Sequence, residues 1–250
     1  MRRSVIACAI VISPLARAQT VADSVADFSG TQGYRNWQYG YYESPLTPSG
    51  FRQMTIFNDS YWKRSNSDWS YLDSQGGHGN GVVTGGFEIW AVRRWTSPIS
   101  ARVRISVHAW KWNTNCGNGI VARLFVGDQQ LWSAPMNYND TVGVVHSVDR
   151  CVVPGETVDF AIDPRNSNDM CDGSNYTALI SIAPPCPADF TCDGEVNDAD
   201  FASFVQGYNL LLCDDPAMAP GCPADLNGDG SVDDADFVVF VSAYDKLACP

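Results

Sequence analysis

Hydrophobic and polar positions alternate with two different periods along this chain. Between residues 87 and 182 the period is two. Arg102-Val103-Arg104-Ile105-Ser106-Val107 and Val158-Asp159-Phe160-Ala161-Ile162 put one side chain in and the next out, as a half-buried strand does. The pattern predicts strands at Phe87–Trp95, Ala101–Trp110, Ile120–Val126, Val142–Val148, Glu156–Ile162 and Tyr176–Ile182. Turn signals such as Gly117-Asn118-Gly119, Gly127-Asp128 and Pro154-Gly155 separate them. Short strands at such spacing point to an all-β sandwich or jelly roll. Near the carboxyl end the period lengthens. Phe201, Phe204, Val205 and Tyr208 recur at i, i+3, i+4 and i+7, and Phe237, Phe240, Val241 and Tyr244 repeat the pattern. Each set is one apolar face of a short α-helix. The expected fold is therefore mainly β: a jelly-roll-like sandwich over 19–183, then a small helical domain over 184–250 after the Pro184-Pro185 joint.

The first 18 residues fit neither pattern. Arg2 and Arg3 precede an apolar run from Val5 to Leu15, and Ala16-Arg17-Ala18 supplies a small-x-small cleavage site. This is the layout of a signal peptide, so residues 1–18 are expected to be removed and the mature chain to be secreted, extracellular or at the cell surface. Cys8 leaves with them. Eight of the nine cysteines remain, an even number that suits disulfides in an exported protein.

Charge divides the mature chain. The 65 residues from Cys186 hold 13 Asp and Glu and one Lys, whereas the preceding 167 carry 15 acidic and 12 basic residues. Overall 16 Lys+Arg face 28 Asp+Glu, which excludes a nucleic-acid binder, since that role needs a basic footprint. No apolar run reaches the 18 or so residues of a spanning helix.

The acidic segment is a repeat. Cys186–Cys213 and Cys222–Cys249 align over 28 positions, 16 of them identical. Each copy opens Cys-Pro-Ala-Asp and spaces oxygen-bearing residues as a twelve-residue calcium loop does, at positions 1, 3, 5, 7, 9 and 12, with Gly at 6. The ligands of the first loop would be Asp189, Thr191, Asp193, the Glu195 carbonyl, Asn197 and Asp200. Those of the second would be Asp225, Asn227, Asp229, the Ser231 carbonyl, Asp233 and Asp236. Two Ca²⁺ ions are expected, one per repeat. Val196 and Val232 at position 8 would anchor the loops to a core. A domain this small usually needs metal and disulfide staples.

This pair of loop-plus-helix repeats resembles a type I dockerin module: each loop closes on Asp (Asp200, Asp236) rather than Glu, and no full helix precedes it. The resemblance implies a paired calcium-bound loop–helix fold that docks to a cohesin on a scaffold. It places the recognition pairs at loop positions 10 and 11, here Asp198-Ala199 and Asp234-Ala235, where cellulosomal members typically carry hydroxyl pairs. The Cys-Pro-Ala-Asp openings are similar to dockerin-like tails of secreted proteins of non-cellulosomal bacteria; attachment to the cell envelope is the other expectation for this tail. Bridges within each repeat, Cys186 to Cys213 and Cys222 to Cys249, are the first expectation, leaving Cys192 for Cys116, Cys151 or Cys171.

The sandwich is rich in aromatics. Tyr34, Trp37, Tyr39, Tyr41 and Tyr42 cluster in one stretch, and Trp62, Trp69, Trp110, Trp112 and Trp132 follow. Flat rings either fill cores or stack on sugars. The composition loosely resembles carbohydrate-binding-module jelly rolls, which implies a polysaccharide ligand, with Trp37, Tyr39, Tyr41 and Trp112 as candidate platforms. No catalytic residues are assigned. Glu43, Glu88, Asp159 and Asp163 could serve glycoside hydrolysis, yet no spacing selects two of them, and His78, His108 and His146 belong to no catalytic motif. Asp163, Asp169 and Asp172 are a further candidate cation site. The expectation is a non-catalytic, glycan-binding secreted protein. A dockerin-bearing polysaccharide hydrolase or lyase, and a structural surface protein, are the alternatives.

Overall fold

The computed structural model describes residues 19–246 apart from 83–85, 167, 185 and 220. The expected leader and Cys249 lie outside the described residues. Two antiparallel sheets pack face to face. The larger contains β12 (Val144–Val152), β9 (Ala101–Lys111), β14 (Ser174–Ile182), β7 (Gly76–His78), β6 (Tyr71–Leu72), β5 (Tyr61–Lys63) and β4 (Ile56–Asn58), in that order. Strand β1 (Thr20–Asp23) joins beside the far half of β14. The second sheet runs β11 (Gln129–Met136), β10 (Ile120–Val126), β13 (Thr157–Asp163), β8 (Trp90–Thr96), β2 (Trp37–Tyr42) and β3 (Phe51–Gln53). The chain is a jelly-roll-like β-sandwich followed by two short helices, α1 (Asp198–Tyr208) and α2 (Asp234–Tyr244).

Alternation builds the sandwich. Val103, Ile105, Val107 and Ala109 of β9 face Leu124, Phe160, Ile162 and Trp37 from the other sheet in one core. Their neighbours Arg104, Ser106, His108 and Trp110 therefore point away from it. Strand β13 is buried on both faces, because Leu46 and Phe51 fold over Tyr42, Trp90 and Ala161 as a second, smaller cluster.

The tail has its own core. Val196 and Val232 are fully buried with Phe204 and Phe240, the two aromatics stacked 5.2 Å apart. Each helix starts with a reciprocal cap: Asn197 and Asp233 accept from the amides two residues on, while Asp200 and Asp236 reach back to the N-cap amides. Such caps satisfy amides that a helix start leaves unpaired.

Three cystines are described: Cys116–Cys171, Cys151–Cys192 and Cys213–Cys222. The expected bridges within each repeat are corrected, since Cys213 is bonded to Cys222 and so neither can close its own repeat. The reason lies in the chain after α1. It pairs with the second loop, Val232 donating to the Leu211 carbonyl and Cys213 to that of Gly230, which sets Cys213 beside Cys222. Cys186 is itself disulfide-bonded. Cys192 takes Cys151, one of its three expected partners.

Candidate functional site

The spacing-derived acidic residues converge in the first loop. Carboxylate oxygens of Asp189, Asp193 and Asp200 lie within 4.8 Å of one another. Gly194 and Gly230 at position 6 adopt φ of 95° and 92°, a left-handed turn that Gly makes without strain. Each loop curls its amides onto its first and last carboxylates. Asp189 accepts from Asp193 and Gly194 at 3.1 and 3.0 Å, and Asp200 accepts from Thr191 and Asn197 at 2.8 and 2.9 Å. Asp225 and Asp236 do the same in the second loop. Burial pushes the Asp189 carboxyl above its ordinary range, and Asp200 adds to the push. A crowded, hard, all-oxygen donor set is what Ca²⁺ takes, so these residues fit that ion. Thr191, Glu195 and Asn197 in the first loop, and Asn227, Asp229, Ser231 and Asp233 in the second, sit around the same turns.

The first loop is fastened to the sandwich. Cys192, at loop position 4, is bonded to Cys151 on β12. Arg102 of β9 spans Asp149 and Asp189 at 3.3 and 3.5 Å, and Arg104 grips Asp149 through two bonds of 2.7 and 2.9 Å. The recognition candidates at position 10 are engaged within the module. The Tyr208 hydroxyl donates to Asp234 at 2.5 Å, and that of Tyr244 donates to Asp198. Ala199 and Ala235 beside them are exposed.

Two of the four proposed sugar platforms are corrected. Trp37 and Tyr39 are fully buried. Their strand β2 sits between β8 and β3 and turns alternate residues into the sandwich, where Trp37 meets Phe160 and Tyr39 stacks on Trp62. Tyr41 packs against that core with the Arg64 guanidinium 5.5 Å from its ring centre. Alternation inside an aromatic run marks strand and core, and these residues show it.

Trp112 remains, with a partner that the sequence reading named only as one more aromatic. Trp112 and Trp69 are 53% and 68% exposed and flank a cavity of about 430 Å³ together with Tyr71, His78, Asn113 and Asp169. The available signal was context: Trp69 stands in a Ser-Asn-Ser-Asp-Trp-Ser stretch, polar on both sides as a strand core is not. The rings are set by their surroundings. Trp112 lies over Gly173, where an added Cβ would meet the indole at 2.5 Å, and it shares the pocket wall with the Tyr71 phenol. Burial pushes that phenol up to about 12. Tyr71 stacks on His78 at 6.1 Å. Burial lowers the pKa of His78, so the ring is neutral near pH 7, and its Nδ1 is bonded to the Gly79 carbonyl. The Cys116–Cys171 cystine ties together the two loops bearing Asn113 and Met170.

Beneath the pocket lies a buried ion pair, Lys111 Nζ 3.5 Å from Asp172. Burial pushes the Asp172 carboxyl up to about 7 and lowers Lys111. The candidate cation site at Asp163, Asp169 and Asp172 does not assemble. Asp163 turns to Arg123 at 2.7 Å, Asp169 accepts from the Gly81 amide, and Asp172 has the lysine as its cation. Each of the four candidate acid–base carboxylates is engaged by a partner, and Glu88, raised by burial, also feels the charge of Asp163. Glu43 pairs with Arg52 and Arg64, Glu88 accepts from Trp90, Asp159 is held by Arg94 and Tyr42, and Asp163 is held as above.

No family model matches the chain, and no curated protein matches it. Among solved structures it is similar to a family 35 carbohydrate-binding module from Clostridium thermocellum at 9% identity, over 58% of this chain and 98% of that one, with a TM-score of 0.28. A β-glucosidase from Kluyveromyces marxianus in complex with glucose gives 9% identity over 78% of this chain and 19% of that one, with a TM-score of 0.30. A Podospora anserina β-(1,4)-mannanase with a family 35 module gives 9% identity, 60% and 29% coverage and a TM-score of 0.27. Scores of this size do not establish a shared function.

Proposed function

We propose that this is a secreted, calcium-binding protein whose sandwich binds a glycan without cleaving it, and whose dockerin-like tail attaches it to an extracellular partner. The observation that carries the binding role is the Trp69–Trp112 pocket: two exposed indoles beside hydrogen-bonding groups of Tyr71, His78, Asn113 and Asp169. Exposed, oriented rings offer stacking faces, and polar side chains between them accept and donate to hydroxyls. A glycosidase sets two carboxyl groups across the scissile bond. Among the described residues Asp169 is the one carboxylate of the pocket lining, which favours binding over hydrolysis.

The tail supports attachment. Bound Ca²⁺ would be held by Asp189, Asp193 and Asp200 in the first loop and by Asp225, Asp229, Asp233 and Asp236 in the second, neutralising carboxylates that otherwise repel. A cohesin-like or cell-envelope partner would meet the exposed faces of α1 and α2, where Phe201, Phe237 and Val238 are uncovered.

Native gels loaded with soluble polysaccharides test the binding role. The mature chain should be retarded by at least one, and W69A and W112A should run free. Release of reducing or unsaturated sugars by the wild-type chain would overturn the non-catalytic reading. Calorimetric titration with CaCl₂ should show two bound ions; no heat of binding at millimolar calcium would remove the metal role.

A further inference from the structure

The pocket opens onto a longer surface. Tyr71, His78 and Gly173 all lie on the face of the larger sheet that points away from the core, and so does the outward set of β9. Register places Asn175 beside Trp110, and His108 between Val145 and Thr177. Trp110 and His108 stack 4.3 Å apart. Next comes Ser106, bonded to Ser147 at 2.9 Å. Strand β1 and the turn after it raise Asp23 and Val25 at one side, making a cleft of about 330 Å³ over Ser106, His108, Thr177 and Leu179. From Trp112 to Arg104 is eight residues, about 27 Å at strand rise. The far end is closed by Arg104 and the first loop of the tail, which share a cleft of about 340 Å³.

We propose that this face is a track for one extended, neutral polysaccharide chain, running from the Trp112 pocket along β9 towards the tail. The proposal rests on the glycan reading above and adds the length and charge of the ligand. Continuity with the pocket argues for a polymer, because a chain end seated on Trp112 leaves nothing to occupy the rings and hydroxyls that follow. The charges argue for neutrality. Between the pocket and Arg104 the face offers hydroxyl, amide, imidazole and indole groups, and the charges at its margins, Asp169 in the pocket and Asp23 beside the cleft, are negative and would repel an anionic chain. The guanidiniums at its end are engaged by Asp149 and Asp189. No Lys or Arg lines the pocket among the described residues, so a uronate would bring a charge with no counter-ion.

The test uses the full mature chain with β-glucan, glucomannan, arabinoxylan and polygalacturonate in native gels, and with trisaccharides of the retained polymer by calorimetry. W112A should lose both polymer and trisaccharide. W110A and T177R, which alter only the middle of the face, should weaken polymer binding about tenfold, as loss of aromatic stacking does, while leaving the trisaccharide unchanged. Polymer binding intact in W110A and T177R but lost in W112A would overturn the track and leave the pocket standing. Retardation by polygalacturonate equal to that by the neutral polymers would overturn the neutrality. No retardation of the wild-type chain by any of the four would overturn the glycan reading and the track together.

Discussion

Trp112 owes its exposure to what it lacks underneath. Gly173 has no Cβ, so the indole lies down over β14 and reaches Tyr71. Gly173→Ala should lift the ring and weaken glycan binding several-fold while leaving the melting temperature close to wild type, since an exposed ring has room to turn. Gel retardation beside a thermal melt separates the two effects. Asp172 beneath it gives a pH signature. Its folded pKa of about 7 lies above the ordinary carboxylate value of about 4. Between those values the folded state holds a proton that the unfolded chain has released, so this group's contribution to stability falls as pH rises through that window. Asp172→Asn should flatten that part of the stability–pH curve, as read by chemical denaturation from pH 4 to 8. Residue-scale legibility was uneven for the same physical reason. Loop spacing named the carboxylates that cluster at Asp189, Asp193 and Asp200 because loop geometry is local, whereas exposure of a ring depends on which strand edge it meets. Trp37 and Trp112 are the same residue type in opposite surroundings.

Elements were legible where both partners of the alternation were long. Ile120–Val126 has the expected bounds, and β9, β13 and both helices lie within a few residues of theirs. Strand β11 was missed because it is an edge strand: Gln129, Gln130, Ser133 and Pro135 leave no clear apolar face, and an edge tolerates Pro. Strands β2 to β7 were missed because most are two or three residues long, shorter than any period can register. The helix starts carry a prediction of their own. Asp200 and Asp236 are each half of a cap and, in the proposed calcium sites, would also be the last loop ligand. Chelation should lower the melting temperature of the wild-type tail. The D200N/D236N variant should start lower, by about 1 kcal/mol per impaired cap, and respond little to EDTA. Circular dichroism at 222 nm through a melt reads both.

At the scale of the molecule, the tail is bound to the sandwich by a cystine and an ion-pair cluster, not only by a linker. Cys192 breaks the usual loop composition because it serves that junction, and no reading of the loop alone shows this. In chain-entropy terms the Cys151–Cys192 bridge closes 41 residues of separation and contributes about 4 kcal/mol. Replacing both by Ser should lower the calorimetric melting temperature and split one transition into two, with the tail unfolding first.

The crossed tyrosines of the tail have one more consequence. Tyr208 closes on an aspartate of the second half and Tyr244 on the matching aspartate of the first, so neither half completes its own latches. A lone copy, handed an identical twin, would find every one of them satisfied across the pair. The two halves are thus held by a reciprocal pair of contacts, so losing either tyrosine leaves the module latched from one side alone.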